Sequence, residues 1–266
     1  MDAADAPWRR LIDGVDVHYR PATDSTQDDL RAMIAAGAPH LTMVSAGEQR
    51  RGRGRSGRSW ASPPGNLYTS TLLRPQQGWS APMHAAFVAA LAVAETVEAF
   101  VGARAPVRIK WPNDVLVYGG KIAGILMETG NARLAGAALA VDWLILGVGI
   151  NVGSRPETGL YPTMCLAEFD AAATVDAVRE RYCTALVWQL DGWERAGFAD
   201  VRRRVLARMA GIGETVAVRL GDRPADRIEG RFEGLDADGA LILETDGARR
   251  VITAGDVFLP GMTAQS

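Results

Sequence analysis

The spacing of apolar residues over the first 210 positions alternates between the periods of strands and of helices. Segments with a period of two, and short apolar runs bounded by glycine or proline, predict strands. These lie at 15–20, 41–47, 66–73, 107–111, 114–118, 121–129 and 137–153. Helical segments are predicted at 24–37, 80–102, 174–198 and 199–211. We expect a mixed α+β fold in which 15–20 is an edge strand and 80–102 is a nearly buried helix.

After Gly211 the pattern changes to short alternating strands separated by glycine and aspartate. This pattern is typical of a small β-barrel. We therefore divide the chain into a larger domain at 1–211 and a small barrel at 212–266. In the larger domain, Gly119 and Gly120 are expected to form the tight turn of a hairpin.

Composition and charge limit the classes of function that this protein can have. The chain has 266 residues, is 48% hydrophobic and carries a formal net charge of −2, so the molecule as a whole does not favour a long polyanion. No uncharged apolar run approaches about 18 residues and no leader pattern is visible, so we expect a cytoplasmic protein without a membrane span. Cys165 and Cys183 lie outside metal or redox spacings and are expected to be reduced packing residues.

Residues 50–60, RRGRGRSGRSW, concentrate five arginines without an acid; we name this segment the arginine loop. It contains the letters of a dinucleotide-binding turn, G-x-G-x-x-G, but Pro63 and Pro64 prevent the helix which that motif requires. A single copy also argues against an RNA-binding repeat. Because clustered arginines repel one another, we expect a small anion as their partner, with a solvated loop as the plain alternative. The candidate ligands are Arg53, Arg55 and Arg58 for carboxylate and phosphate, and Trp60 for the face of a ring.

The segment KWPNDVLVYGGK holds both lysines of a chain otherwise rich in arginine. Asn113 and Asp114 lie at a strand end, Lys121 begins the next strand, and Gly124 leaves room for a flat ligand. The alternative explanation for Lys110 in this segment is chance clustering, or a lysine whose side chain extends from a strand end towards solvent.

Five motifs together resemble the biotin–protein ligase family. They are DST at 24–26, EQRRGRGRSGRSW at 48–60, KWPND at 110–114, KIAGIL at 121–126 and GVGIN at 147–151. Taken alone, GVGIN is either a bend in a sheet or the border of a pocket in which Asn151 binds a polar group. The resemblance spans nearly the whole chain. It implies a largely antiparallel sheet with flanking helices, as in class II aminoacyl-tRNA synthetases, followed by an SH3-like barrel. It also implies the short form of the family, without an N-terminal DNA-binding domain and with no DNA partner.

The same resemblance implies a reaction in two steps. The carboxylate of biotin attacks the α-phosphate of MgATP to give biotinyl-5′-AMP and pyrophosphate, and a lysine of a biotin carboxyl carrier domain then displaces AMP. Biotin and ATP are thus substrates. Mg²⁺ is expected to be held mainly by phosphates and water, so its protein ligands stay unidentified. The family includes monomers and homodimers.

Site roles follow from the resemblance position by position. The biotin-binding residues are Ser25, Thr26, Gln27, Gln49, Arg53, Gly54, Arg55, Lys121 and Gly124. The nucleotide-binding residues are Arg58, Trp60, Asn113 and Asn151. The catalytic residues are Lys121, Arg55 and Asp114, of which Asp114 is expected to orient the attacking amine or to take its proton. Gln27 departs from the asparagine that is usual in the family.

Two other functions are compatible with parts of this pattern. A lipoate or octanoate ligase or transferase has a related fold but needs a pocket for a thin apolar chain, whereas Ser25, Thr26 and Gln49 suit a ureido group. A non-catalytic sensor of biotin or its adenylate is the second alternative, although both lysines and the Asn-Asp pair are present. A nucleic-acid regulator is disfavoured because no groove-reading element is visible.

Overall fold

The computed structural model describes residues 6–75, 83–130, 133–135, 138–156, 161–221, 223 and 226–260, and every structural statement below refers to them. The helices of more than one turn are α1 (Thr26–Ala35), α2 (Met83–Val101) and α3 (Val175–Arg208). The strands of the first sheet are β1 (Trp8–Ile12), β2 (Val15–Thr23), β3 (Thr42–Gln49), β4 (Leu67–Leu73), β5 (Val107–Lys110), β6 (Asp114–Val117), β7 (Gly120–Gly130) and β10 (Trp143–Ile150). A short hairpin holds β8 (Arg133–Ala135) and β9 (Ala138–Ala140). The last strands are β11 (Thr215–Arg219), β12 (Arg227–Leu235), β13 (Leu241–Thr245), β14 (Ala248–Ile252) and β15 (Asp256–Phe258).

The first sheet has eight strands in the order β1-β2-β3-β4-β10-β7-β6-β5. β2 and β3 pair in parallel, and the other neighbouring strands pair antiparallel. The predicted mixed and largely antiparallel sheet is confirmed. The strand predicted at 15–20 is present, but its placement at a sheet edge is wrong, because β1 pairs with its outer side and sets Trp8 opposite Tyr19.

Side chains alternate between the two faces of this sheet, and the helices divide between those faces. Leu73 belongs to the main core that also contains the buried residues of α2 and α3. Its neighbour Leu72 belongs to a second cluster, which consists of Leu30 of α1, Val44, Leu72 and Ile145. Because successive strand residues point to opposite faces, α1 packs on the face opposite to α2 and α3.

The helix α2 lies at the centre of the main core. This helix has 19 residues, and an 18-residue window of it has a mean hydropathy of 1.5, so it is long and apolar enough for a membrane span by length and composition. However, 72% of that window is buried inside the fold. It packs against α3 and against β5, β6 and β7. The predicted, nearly buried helix is confirmed over Met83–Val101, and the predicted start at 80–82 lies outside the described residues.

Two local predictions need adjustment. The two helices predicted at 174–198 and 199–211 form one element, α3, which is interrupted where Gly197 adopts a φ of +73°. The hairpin turn between β6 and β7 is Tyr118-Gly119 and not Gly119-Gly120, since the positive φ angles are +49° at Tyr118 and +77° at Gly119. A two-residue hairpin loop of this twist requires positive φ at both central residues, and Gly120 already belongs to β7.

The C-terminal strands form a five-stranded antiparallel sheet in the order β14-β13-β12-β11-β15. This sheet packs against the first part of the chain through buried polar contacts. The indole of Trp111 donates to the carbonyl of Gly239 at 3.1 Å, and Arg202 donates to the carbonyl of Asp236 at 2.7 Å. These contacts bring β15 beside the arginine loop, so that both sheets contribute to the site described next.

Candidate active site

One cavity of about 440 Å³ opens on the α1 face of the large sheet, and all the site residues predicted from the sequence line it. These residues are Ser25, Thr26, Gln27, Gln49, Arg53, Gly54, Arg55, Arg58, Trp60, Asn113, Asp114, Lys121, Gly124 and Asn151. A volume of this size is typical of a small-molecule site. The structure therefore brings together segments that lie up to 126 positions apart between Ser25 and Asn151.

Glycines make the floor of this cavity concave. Gly124 of β7 pairs with Gly149 of β10, so the two lie on the same face of adjacent strands. The ring of Trp60 lies directly on them: an added Cβ would come within 3.0 Å of the ring at Gly124 and within 2.7 Å of the indole nitrogen at Gly149. The buried indole N–H of Trp60 has no hydrogen-bond partner among the described residues. These glycines are therefore required by a close approach and not only by a bend in the sheet.

Neutral polar groups line the end of the cavity formed by α1 and β3. Gln49 accepts from the backbone N–H and the hydroxyl of Thr26 at 3.0 and 3.1 Å, and it donates to the hydroxyl of Ser62 at 3.0 Å. The hydroxyls of Thr26 and Ser70 are 2.7 Å apart. Ser25 is the N-cap residue of α1, but its side chain does not cap the helix and lines the cavity instead. This end is therefore rich in hydroxyl and amide groups held in fixed positions.

Gln27 reaches across the cavity from α1 to β7. Its amide nitrogen donates to the carbonyl of Leu126 at 3.3 Å, and it lies where an added Cβ on Gly147 would come within 2.9 Å. The extra methylene of glutamine, compared with asparagine, is thus accommodated because position 147 lacks a side chain. Glutamine in place of the usual asparagine therefore still closes the cavity wall between α1 and β7.

Acidic residues from elsewhere in the chain pair with the arginine loop, so the expectation that its arginines lack acidic partners is wrong. Arg51 forms an ion pair with Asp24 on the protein surface. Arg53 donates both terminal nitrogens to Asp28 at 2.8 Å, and this contact lowers the pKa of Asp28 below its ordinary value. Asp24 and Asp28 stand at the start of α1, which the fold places beside the loop. This pairing could not be read from the sequence, because the paired residues are far apart along the chain.

The C-terminal sheet supplies the partners of the two arginines that lie deeper. Arg58 donates to both oxygens of Asp256 at 2.9 and 3.0 Å, and Arg55 donates to the carbonyl of Gly255 at 3.2 Å. Arg219 also contacts Asp256 at 3.2 Å. Burial raises the pKa of Asp256, but the positive charge of Arg58 and the neighbouring arginines outweighs it, so the pKa lies below its ordinary value. The carboxylate therefore stays ionised.

Two buried lysines share one buried carboxylate at the centre of the cavity. Asp114 lies 2.6 Å from the ammonium of Lys121 and 2.9 Å from that of Lys110, and all three residues are less than 10% exposed. Burial raises the pKa of Asp114, but the two ammonium groups outweigh it and hold the pKa well below the usual range. Burial lowers the pKa of Lys121, but Asp114 and Tyr161 together outweigh it, so the pKa lies above its ordinary value. The cluster thus keeps a net positive charge.

Both predicted asparagines bind backbone groups in the cavity wall. Asn113 donates to the carbonyl of Ile125 at 2.7 Å and accepts from Arg55 at 3.1 Å. Asn151, which is 3% exposed, donates to the carbonyl of Met164 at 2.9 Å. These contacts fix the position of Arg55 and of the chain beyond β10.

Several residues of the cavity lining were missed by the sequence-based assignment, among them Lys110, Asp256 and Tyr161. The sequence did not assign Lys110 to the site, although the scarcity of lysine in this chain could have indicated it. Asp256 and Tyr161 also line the cavity, and each lies more than 100 positions from the arginine loop. No motif marks either of them, so only the tertiary structure identifies them.

The acidic residues of the lining do not form a metal site. Among the described residues, no group of three or more His, Cys, Asp or Glu side chains lies close enough to hold a metal ion. The carboxylates of the lining are those of Asp114 and Asp256, and cationic side chains already pair with both.

Comparisons with known proteins agree with this geometry. Residues 19–143 match the biotin/lipoate A/B protein ligase family, and residues 211–259 match the biotin protein ligase C-terminal domain. A biotin–[acetyl-CoA-carboxylase] ligase of Paracoccus denitrificans is 37% identical over 246 residues, which are 90% of this chain and 98% of the relative. One of Mycobacterium tuberculosis is 34% identical over 96% of this chain and 90% of its own. A biotin protein ligase of Aquifex aeolicus, solved with biotin and ATP, superposes with a TM-score of 0.75 at 28% identity, covering 91% of this chain and 97% of its own. With its fold, its cavity and its relatives in agreement, this chain belongs to the biotin protein ligase family.

Proposed function

We propose that this protein joins biotin to a lysine of a biotin carboxyl carrier domain, in an ATP-dependent reaction that passes through biotinyl-5′-AMP. One observation carries the proposal: a single cavity has a neutral polar end at Thr26 and Gln49 and a cationic centre at Lys121. A ureido ring with a carboxylate tail matches that order of groups. The relatives named above are ligases, and the Aquifex protein binds biotin and ATP.

Biotin is proposed to lie beside the Trp60 ring, which covers the glycine floor, with its ureido ring at the neutral end. Ser25, Thr26, Gln27 and Gln49 are its candidate hydrogen-bond partners there, together with Arg53. Amides and hydroxyls match a ureido group, which carries one acceptor and two donors. The thin apolar chain of lipoate would offer no donor or acceptor to the remaining hydrogen-bonding capacity of these groups.

The first step brings a carboxylate against a triphosphate, so repulsion between anions is the main obstacle. The cluster of Lys110, Asp114 and Lys121 carries a net charge of +1, and Arg55 adds a second positive charge next to Asn113. Preorganised cations of this kind stabilise the charge that develops in phosphoryl transfer, and they lie in place before the substrates arrive. Lys121 and Arg55, with Gly54 allowing close approach, are the proposed catalytic groups for adenylation.

The nucleotide is proposed to occupy the side of the cavity next to the C-terminal sheet. Arg58, Asn113 and Asn151 border that side, and the ring of Trp60 lines the same cavity with its indole N–H buried against Gly149. Magnesium, when bound, neutralises phosphate charge. The described residues offer it no cluster of carboxylates, so it fits this site as a phosphate-bound ion with water ligands.

In the second step the acceptor amine attacks the acyl carbon, an amide C–N bond forms, and the C–O bond to phosphate breaks as AMP leaves. The amine must lose a proton. The lowered pKa of Asp114 makes this carboxylate a weak base at neutral pH, since an efficient base has a pKa near the working pH. The oxygens of Asp114 contact the ammonium groups of Lys110 and Lys121, so we propose a different role, in which Asp114 positions these two lysines and fixes the local charge. Its expected orientation of the acceptor amine stays a prediction.

Exchange of labelled pyrophosphate into ATP tests the first step. Biotin should support exchange and lipoate should not, and Lys121→Ala should lower the biotin-dependent rate by about 100-fold or more, the usual size of losing one preorganised electrostatic group. Lipoate-dependent exchange at the rate of biotin would favour the alternative ligase. Transfer of labelled biotin to a carrier domain tests the second step, and binding of biotin without any transfer would identify a sensor instead.

We further propose that the functional division follows the two sheets, with the catalytic domain at 1–211 and the barrel at 212–266. This division is supported by the change in the hydrophobic pattern after Gly211 and by the start of β11 at Thr215. We also propose a cytoplasmic location, where ATP and a carboxylase are both available.

A further inference from the structure

Tyr161 belongs to the cavity wall, yet no motif and no step of the proposed reaction gives it a role. Its ring faces two cations: the ammonium of Lys121 lies 5.3 Å from the ring centroid, and that of Lys110 lies 5.8 Å from it. Both distances are within the range of about 6 Å in which a ring attracts a cation. The two lysines are less than 10% exposed, so these contacts are made in a largely desolvated place.

The backbone holds Tyr161 beside Lys121. The amide of Lys121 donates to the carbonyl of Pro162 at 2.8 Å, and the amide of Met164 donates to the carbonyl of Lys121 at 2.9 Å. Thr163 thereby forms a parallel bridge with Lys121, and its hydroxyl donates to the carbonyl of Pro156 at 2.7 Å. The segment that carries Tyr161 is thus attached to the same residue whose side chain the ring contacts.

Lys121 has a long flexible side chain, so its ammonium needs external contacts to hold one position. Asp114 attracts it from one side at 2.6 Å, and the ring of Trp60 lies 5.0 Å from it. Burial lowers the pKa of Lys121, but Asp114 and, after it, the hydroxyl of Tyr161 raise it, and the net pKa lies above its ordinary value. Two aromatic rings, the hydroxyl of Tyr161 and one carboxylate therefore surround the charge.

We propose that Tyr161 is a positioning residue of the adenylation step: its ring holds the ammonium of Lys121 where the carboxylate of biotin meets the α-phosphate. The inference rests on the proposed function and deepens it. Tyr161 acts through Lys121 and not by touching the reacting atoms. Misplacement of a catalytic charge by about 1 Å is enough to lower a rate by about 100-fold, which makes such bracing useful.

The test compares binding of biotin with binding of biotinol, the primary alcohol that keeps the ring system and lacks the carboxylate. Isothermal titration without ATP gives a dissociation constant for each, and their ratio measures the preference for the carboxylate. Binding of biotin by the wild-type protein tests the proposed function itself. The change of the ratio in variants tests Tyr161, so the two failures are distinguishable.

Tyr161→Leu should reduce the preference for biotin over biotinol about tenfold, which equals about 1.4 kcal/mol. Biotinol affinity should stay within about twofold. Tyr161→Phe keeps the ring and should retain the preference within about threefold. Tyr118→Leu is the matched control, because Tyr118 lies at the tip of the hairpin between β6 and β7, which carries Lys121. Its side chain is 62% exposed, stacks on Phe169 with the ring centroids 6.2 Å apart, and does not line the cavity.

Three results would overturn the inference. An unchanged preference in Tyr161→Leu would show that Lys121 needs no support from the ring. Equal weakening of biotin and biotinol would show a merely structural role. A loss in Tyr161→Phe as large as in Tyr161→Leu would remove the assignment to the ring face. Pyrophosphate exchange adds a kinetic reading, since Tyr161→Leu should lower kcat/KM for biotin by the same factor as the preference.

Discussion

Replacement of Asp114 by asparagine removes the one negative charge between two buried ammonium groups. The side chain keeps its shape and one carbonyl oxygen, but Lys110 and Lys121 then face each other without compensation at a place where both are less than 10% exposed. Breaking a buried ion pair from one side costs about 3–5 kcal/mol. At about 2–4 °C per kcal/mol for a chain of this size, we expect Tm to fall by about 6–20 °C.

The same substitution separates the positioning of Lys121 by this carboxylate from the role of base for the acceptor amine. If Asp114 positions Lys121, Asp114→Asn slows adenylation and transfer together, because both steps use the cationic centre. If it is the base for the acceptor amine, only transfer slows. The lowered pKa of Asp114 leads us to expect the first outcome, with both rates reduced about tenfold or more.

The assays are thermal unfolding, pyrophosphate exchange, and single-turnover transfer from biotinyl-5′-AMP made beforehand. Asp200→Asn is a suitable control, because Asp200 pairs with Arg203 and Arg204 at the surface of α3 and should contribute less than about 1 kcal/mol. A variant that unfolds at the wild-type temperature and runs both steps at wild-type rates would refute the electrostatic reasoning. Selective loss of transfer would refute the positioning role alone.

Three further outcomes are expected. Gly149→Ala should displace the Trp60 ring, which lies 2.7 Å from the added carbon, and should raise the dissociation constant of biotin at least tenfold. Gly192→Ala is the control: the added carbon lies in mid-helix with its nearest neighbour at 3.7 Å, so this variant should be more stable than the wild type by about 1 kcal/mol. Asp256→Asn should free the arginine loop and speed its cleavage by trypsin several-fold, and unchanged cleavage would contradict this anchoring role. Because the pKa of Asp114 is lowered by folding, its stabilisation is present above about pH 4 and lost as the pH falls through the lowered value. Urea unfolding should therefore show the difference between wild type and Asp114→Asn shrinking below about pH 4.

The sequence by itself determined most of the secondary structure and predicted fourteen of the residues that line the cavity. The periodicities located the strands and helices of the large sheet, because each element buries one face and its apolar residues must recur at its own period. The candidate site residues came from the family resemblance that the motifs carry, because five motifs in a fixed order and spacing are specific to one family. What the pattern could not supply was order within the sheet: the strand at 15–20 looked like an edge until β1 was seen to pair with it.

Charge pairing was decided by the tertiary structure alone. The arginine loop contains no acid, and within the sequence its five positive charges call for an external anion. Folding brings Asp28 from α1 and Asp256 from the C-terminal sheet to Arg53 and Arg58, so part of that charge is already balanced. Electrostatic partners are chosen by distance in space, and neither period nor motif records contacts between residues about 200 positions apart. Tyr161 was invisible for the same reason: an aromatic ring becomes a cation-binding surface only when the fold places a buried lysine in front of it.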